Sequence, residues 1–394
     1  MNSIVSAFIN EFSGKEEDVR VFFAPGRVNL IGEHIDYNGG HVLPCALEIG
    51  TYLAIRERSD SNIFFYSENF PEAGQIKIDR HHLVKDKKDG WTNYPKGIVH
   101  ECRDLLPATG YDMYFYGDIP NGAGLSSSAS IELVTVHALN TLHHLGLSKL
   151  ELVKLSQRVE NQFVGVNCGI MDQFAVGFGS LDQAVLLNSE TLDFKYVPLD
   201  LGTYSIVIVN TNKKRGLADS AYNERRETCE AALEKLKKAF PITELCHLSS
   251  EDLKQVGSLL TDKEMKRVRH VVTENERTLD AVKRLEENDL ISFGERMNQS
   301  HQSLRDDYEV SCHELDVLVE AANRQKGTVG ARMTGAGFGG CTVTIVEDQH
   351  IEAFKTNVAK EYSRLTSLEA DFYTVKVGGG TRELTKPEAL AFKI

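Results

Sequence analysis

Pro120-Asn-Gly-Ala-Gly-Leu-Ser-Ser-Ser-Ala129 is the stretch on which the fold turns. Proline and two glycines punctuate it, three serine hydroxyls follow, and an apolar run opens at Ala129. That order predicts a tight loop entering the first turn of a helix. The free N–H groups of such a turn, together with the positive end of the helix dipole, favour an anion. Gly122 and Gly124 carry no side chain to hold a phosphate off the backbone. A serine hydroxyl in this position can also ligate magnesium. The stretch is not a P-loop, because the chain contains no Gly-x-x-x-x-Gly-Lys-[Ser/Thr]. Nor is it a dinucleotide fingerprint, since Ser127 stands where the third glycine belongs. A glycine-rich turn capped by serines, with no ligand, is the plain alternative.

Outward from this loop the pattern is mixed. Strands are expected at residues 21–24 (stopping at Pro25-Gly26), 52–57, 62–67 and 111–116. Helices are expected at residues 1–12 and 94–105, and at 127–145 directly after the serines. Ser148-x-x-Glu151 is a capping box opening a further helix. Strands follow at 184–188, 194–198 and 205–210. From about residue 218 the texture changes to charged helices at 219–240, 262–287, 289–304 and 314–325; for those of 262–304 a solvated face is the default. A strand at 342–346, a helix at 351–364 and a strand at 371–377 close the chain. Without regular βαβ alternation the class is α+β. The change of texture divides it into an N-terminal mixed α/β domain, 1–200, and a C-terminal α+β domain, 201–394.

The chain has 394 residues with a net charge of −13, 41% hydrophobic and 26% charged. The acidic balance argues against a general nucleic-acid or anionic-membrane binder, which needs basic faces. It leaves room for a nucleotide ligand. Seven scattered cysteines without a Cys-x-x-Cys argue against a disulfide framework or zinc site and for a reducing cytosol. The first residues lack a basic segment, so no signal peptide is expected, and no apolar stretch is long enough to cross a bilayer.

Three more stretches could carry chemistry. Pro25-Gly-Arg-Val-Asn-Leu-Ile-Gly-Glu-His-Ile-Asp-Tyr-Asn-Gly-Gly40 gathers Arg27, Glu33, His34 and Asp36 in a glycine-rich loop. Neighbouring carboxylates suit a polyol, since each accepts hydroxyl hydrogens. They suit turn capping, calcium or a solvated loop as well. Glu160, late in the capped helix, is either solvent-facing or functional. Asp172, between Met171 and Phe174 in Val166-Asn-Cys-Gly-Ile-Met-Asp-Gln173, is an N-cap or a group with a task. Finally, Arg332-Met-Thr-Gly-Ala-Gly-Phe-Gly-Gly-Cys341 allows close backbone approach, or simply a tight turn before a strand.

Taken together and in this order, the four stretches resemble the galactokinases, of the superfamily that also holds homoserine, mevalonate and phosphomevalonate kinases. The Gly26–Gly40 stretch looks like the galactokinase signature; the serine loop and Met333–Cys341 look like the superfamily's second and third motifs. The resemblance spans the whole chain. It implies a two-domain small-molecule kinase fold with the active site in the interdomain cleft, and ATP-dependent phosphorylation of galactose at its anomeric hydroxyl. It implies that Glu33, His34, Ile35 and Asp36 bind the sugar, with Gly169 and Tyr222 completing the pocket. Asp172 would be the base and Arg27 would lie against it and the transferring phosphoryl group. Gly122, Ala123, Gly124, Leu125, Ser126, Ser127 and Ser128 would wrap the phosphates, Ser67 would touch the nucleotide, and Trp91 would flank the adenine. Ser128 and Glu160 would hold Mg2+. ATP and galactose are the expected partners of a cytoplasmic monomer, with no nucleic acid and no membrane.

One departure is visible: Ile35 stands where the family usually carries threonine. A kinase for N-acetylgalactosamine is the near rival. A non-catalytic sugar and ATP sensor is a second, disfavoured because Ser128-Ala129, Arg27 and Asp172 are all present. A mevalonate-type kinase is a third, disfavoured because Glu33 and Asp36 would repel an acidic substrate.

Overall fold

The computed structural model describes residues 3–120, 124–213 and 218–394. In chain order the first part supplies α1 (Ile4–Phe12), β1 (Arg20–Asn29), β2 (His41–Val42), β3 (Pro44–Glu57), β4 (Asn62–Ser67), β5 (Ile76–Asp79), α2 (Asn93–Cys102) and β6 (Tyr111–Gly117). It continues with α3 (Ser127–Leu142), α4 (Lys149–Arg158), α5 (Met171–Phe178), β7 (Gln183–Asn188) and β8 (Phe194–Pro198). Next come β9 (Tyr204–Asn210), α6 (Ala218–Leu236), α7 (Leu253–Val256), α8 (Asp262–Glu286), α9 (Leu290–Ser303), α10 (His313–Asn323), β10 (Thr328–Thr334) and β11 (Cys341–Glu347). The chain ends with α11 (Ile351–Thr366), β12 (Asp371–Val375), β13 (Arg382–Glu383) and α12 (Lys386–Ala391).

Among the described residues three sheets result, ordered β13-β1-β3-β6-β4-β5, β10-β11-β9-β12 and β2-β7-β8. Strand alternation explains how the first two are buried on both faces. On β1, Phe22 and Ala24 enter the large core with α2 to α5, while Val21 and Phe23 face the other way, against α1 and α12. On β9, Ile206 and Ile208 share a core with the third sheet, whereas Val207 and Val209 pack against α10 and α11. The last residues return to the first sheet: Phe22 pairs with Glu383, and Arg20 forks onto the Glu383 carboxylate at 2.7 and 2.7 Å.

Three expectations need correction. β1 does not stop at Pro25-Gly26 but runs on to Asn29, through a bulge between Pro25 and Arg27. A bulge accommodates a proline that has no hydrogen to give to the ladder. The helix from Ser127 ends at Leu142 rather than 145, where His144 and Gly146 take left-handed backbone. The helices of 262–304 are not simply a solvated face. Arg267, His270, Glu274 and Thr278, spaced to share one side of α8, are all buried.

Among the described residues, no helix is long and apolar enough to cross a membrane. Among the described residues no cysteine is in a disulfide.

Candidate active site

The site lies where the end of β1, the serine loop, the start of α5 and the β10–β11 connection converge. Just past the bulge Arg27 pairs with Ala46 of β3, and its backbone N–H donates to the Leu125 carbonyl at 3.1 Å. Its guanidinium forks onto Asp172, Nε to Oδ1 and Nη2 to Oδ2, both at 2.8 Å. Nη1 donates to the Gly124 carbonyl at 2.8 Å. The Ser126 hydroxyl donates to Asp172 Oδ2 at 2.5 Å. Asp172 sits in the first turn of α5, where the helix dipole favours a carboxylate. Arg27 is buried, whereas the Asp172 side chain keeps 28% of its surface open for a substrate.

The serine loop turns by left-handed backbone at Gly124 and Ser126, with φ of 72° and 61°. Ser127 is exposed, Ser128 half-buried, and Leu125 plugs the core, so Leu125 has only backbone to offer a ligand. Gly122 and Ala123 lie outside the described residues. The third motif approaches: a Cβ on Gly335 would lie 3.9 Å from the Gly124 carbonyl.

The loop of residues 30–40 is held from two sides. From α8, Glu274 Oε1 accepts the Gly32 N–H at 3.0 Å, and His270 Nε2 lies 3.0 Å from the Glu33 carbonyl. Burial pushes Glu274 up, but Arg277, His270 and Arg332 outweigh it and bring the carboxyl down to about 2. From β10, Thr334 Oγ1 and the Gly335 N–H donate to Glu33 Oε1 at 3.0 and 2.8 Å. Arg332 Nη2 stands 3.1 Å from the same oxygen, while Nη1 donates to the Asn29 carbonyl at 2.7 Å. Oε1 of Glu33 is therefore a tether, and Oε2 is the oxygen left for a ligand.

Asp36 lies against Gly169, where a Cβ would stand 1.9 Å from Oδ2. Only glycine lets the two loops close on each other here. Loss of hydration, then the charges of Asp172 and Glu33, push the Asp36 carboxyl up to about 7. Tyr222 also stands beside Asp36: burial, then Asp36, hold its phenol well above the usual range. The His34 ring is enclosed by Tyr37, Tyr222 and Tyr308, at centroid distances of 6.0, 5.6 and 5.0 Å. Ile35 turns its side chain into the core beside Gly40, and its carbonyl accepts from Asn38 and Gly40. The expectation that Ile35 serves the substrate is thereby restricted to its backbone N–H.

Glu160 occupies a π-helical turn after α4 and is buried. Gln173 Nε2 donates to its Oε2 at 2.6 Å, and the Ser128 hydroxyl reaches the same carboxylate. Burial, then Asp172, push Glu160 up to about 7. Beneath it Glu132, wholly buried beside Gln173, is pushed well above the carboxylate range by burial and then by Glu160. Among the described residues, no group of three or more His, Cys, Asp or Glu could hold a metal ion. A carboxylate with a hydroxyl still fits Mg2+, which keeps waters and substrate phosphates as most of its ligands.

Ser67, at the end of β4, is buried. Trp91 lies in an aromatic cluster, parallel to Phe70 at 6.4 Å and edge-on to Phe115 at 5.4 Å. Sequence reasoning did not find Thr334, Arg332, His270, Glu274, Gln173 or Glu132. The one available signal was the polar stripe of α8, with residues 267, 270, 274 and 278 at helical spacing.

Comparison with known proteins follows the same ground. Residues 6–57 match the galactokinase galactose-binding signature. Over 376 residues the chain is 53% identical to a galactokinase of Fusobacterium nucleatum, covering 94% of this chain and 96% of that one. The chain belongs to the galactokinase family. A galactokinase of Lactiplantibacillus plantarum is 51% identical over 380 residues, with 96% and 98% covered. Residues 93–180 and 279–364 of this galactokinase-family chain match the N-terminal and C-terminal GHMP kinase domains. The crystal structure of Lactococcus lactis galactokinase complexed with galactose superposes with a TM-score of 0.93 at 43% identity, covering 97% of this chain and 99% of that one. The mevalonate kinase of Methanococcus jannaschii shares the fold alone, with a TM-score of 0.67 at 18% identity. The α+β kinase fold expected from the four stretches is the one observed.

Proposed function

We propose that this chain transfers the γ-phosphoryl group of ATP to the anomeric 1-hydroxyl of galactose, giving galactose 1-phosphate and ADP, the first committed step of galactose catabolism. The observation that carries the reading is the Arg27–Asp172 fork, set between a two-carboxylate loop and a helix-opening serine loop. The family membership supports it.

Asp36, Glu33 Oε2, Tyr222 and the backbone at Gly169 receive the sugar hydroxyls. The loop amides of residues 122–128 wrap the phosphates, and Ser67 and Trp91 stand on the nucleotide side. Asp172 takes the proton of the 1-hydroxyl as its oxygen bonds to the γ-phosphorus and the bond to the β-phosphate oxygen breaks. Arg27, planar and always charged, orients Asp172 through its fork and faces the developing phosphoryl charge. Ser128 and Glu160 would hold Mg2+, which offsets charge on the β- and γ-phosphates when bound. Seven cysteines with no disulfide among the described residues support a reducing cytoplasm.

ATP consumption measured against a panel of free hexoses and N-acetylgalactosamine tests the reading. D-galactose should be turned over in strong preference. Inertness toward it, or preference for the N-acetyl sugar, overturns the assignment.

A further inference from the structure

Ser126 stands at the N-cap position of α3 and does not cap it. A serine oxygen at that position ordinarily accepts a hydrogen from a backbone N–H of the first helical turn. Ser148, the N-cap of α4, does so: its backbone is extended, with φ of −70° and ψ of 159°, and its side chain accepts from the Glu151 N–H. Ser126 instead has φ of 61° and ψ of 46°, the left-handed region, and its side chain makes no bond to the helix. The turn sends the hydroxyl away from α3 and onto Asp172 Oδ2, at 2.5 Å.

That backbone is strained for any residue with a Cβ, and such a residue keeps it only where the surroundings over-determine it. Glycine would take it freely, as Gly124 does with φ of 72°. Here the surroundings do over-determine it. The Ser126 carbonyl accepts from the Ser130 N–H at 3.0 Å to open the helix. Arg27 holds the preceding residues, its backbone N–H on the Leu125 carbonyl at 3.1 Å and Nη1 on the Gly124 carbonyl at 2.8 Å. What serine adds over glycine at this point is the hydroxyl on Asp172.

The donors on Asp172 are a second, independent observation. A carboxylate offers roughly four lone-pair sites, shared equally between its oxygens. Arg27 spans both oxygens, Nε on Oδ1 and Nη2 on Oδ2, and Ser126 adds a further donor to Oδ2. Oδ2 is thereby filled, while Oδ1 still has a lone pair to offer.

We propose that Ser126 is a positioning residue for proton transfer: by occupying Oδ2 beside Arg27 it fixes the Asp172 carboxylate and leaves Oδ1 to take the proton of the sugar 1-hydroxyl. In that step the O–H bond breaks and its proton goes to Oδ1. The sugar oxygen bonds to the γ-phosphorus, and the electron pair of the breaking P–O bond leaves with the β-phosphate oxygen. This task at the base is distinct from the phosphate wrapping expected of the rest of the loop. The proposal rests on the reading of Asp172 as the base.

Ser126→Gly tests it, because the substitution removes the hydroxyl while relieving the backbone. The variant should fold with a Tm at or above that of wild type. Its kcat should fall about 10- to 100-fold, the fold-change of one lost hydrogen bond to a charged group. The KM values for galactose and ATP should stay within about threefold of wild type, because neither substrate loses a contact. Ser126→Ala, which keeps the strain and loses the hydroxyl, should match Ser126→Gly in kcat. In an Asp172→Asn background, adding Ser126→Gly should change kcat by less than about twofold, since the hydroxyl acts through that carboxylate. An unchanged or raised kcat in Ser126→Gly, a rise in its ATP KM as large as the fall in kcat, or a full further loss in the Asp172→Asn background overturns the proposal. A wild type inert toward galactose but active on another hexose sinks the functional reading instead, and the same comparisons then run on that hexose.

Discussion

The Gly335 N–H donates to Glu33 Oε1 at 2.8 Å, although 302 residues separate the two in sequence. The bond ties the sugar loop to the glycine-rich turn that also approaches the serine loop at Gly124. One oxygen of a carboxylate thus holds the two halves of the site together while the other remains available.

Breaking this tether should be graded. Thr334→Val removes one donor to Glu33 and should cost about 1 kcal/mol of stability. Glu33→Gln removes the carboxylate charge 3.1 Å from the wholly buried Arg332 and should cost about 3 kcal/mol or more. Denaturant unfolding with and without galactose measures both, and the ranking is the test: a Thr334→Val loss as large as that of Glu33→Gln removes the charge from the explanation.

Asp172→Asn should lower kcat about 10²–10⁴-fold if the carboxylate removes the proton. Arg27→Lys keeps the charge but loses the fork onto Asp172, and should also be impaired. Steady-state kinetics with saturating ATP and galactose decides. Near-normal turnover in Asp172→Asn leaves that residue as an orienter held by Arg27 and Ser126.

Asp36 sets a pH dependence. Its carboxyl, pushed up to about 7, is protonated in the free protein at pH 6 although it would be ionised in the unfolded chain. Its contribution to stability is therefore full below the ordinary carboxylate pKa and lost as pH climbs through 7. Asp36→Asn should raise Tm at pH 8 and leave it unchanged at pH 4. Sugar hydroxyls favour the ionised form, so the galactose KM should rise below pH 7, by up to about tenfold per unit. Calorimetry near pH 6.5 in buffers of different ionisation enthalpy should detect proton release on galactose binding; its absence would contradict the assignment of Asp36.

Gly169→Ala places a methyl where Asp36 Oδ2 now sits. A displacement of about 1 Å can cost on the order of a hundredfold in a positioned site, so the galactose kcat/KM should fall by that order. The ATP KM should be unaffected. Equal damage to both substrates would show that the two loops do not meet at the sugar.

Gln173 offers a handle on the metal. Chelating Mg2+ should abolish turnover. Gln173→Ala, which frees Glu160 Oε2, should raise the half-saturating Mg2+ concentration about 10- to 100-fold, as partners that orient a ligand usually do. Titration of Mn2+ by electron paramagnetic resonance, in the presence of a non-hydrolysable ATP analogue, reads the same shift without turnover.

Local signals in the chain were legible where the physics is local. The Ser148 capping box forms both of its hydrogen bonds, and a helix begins at Ser127 behind the glycine turn. β1 was cut short because Pro25-Gly26 reads as a stop, and only pairing with β3 shows that a bulge absorbs it. Asp172 remained open between a cap and a functional group because its partner Arg27 lies 145 positions away. The stripe of α8 was taken for solvent-facing because its residues are polar; their partners, such as Gly32 and Glu33, are far off in the chain.

The amino-acid sequence alone determined the α+β class, the loop-to-helix turn of the serines and the residue types that gather around a sugar and a phosphate chain. Those follow from backbone freedom, side-chain chemistry and spacing, which act over a few residues. Tertiary structure decided which oxygen of Glu33 is tethered, which charge Asp172 faces and why position 169 admits no side chain. Hydrogen bonds and burial depend on distance in space, and folding alone brings positions hundreds of residues apart to within 3 Å.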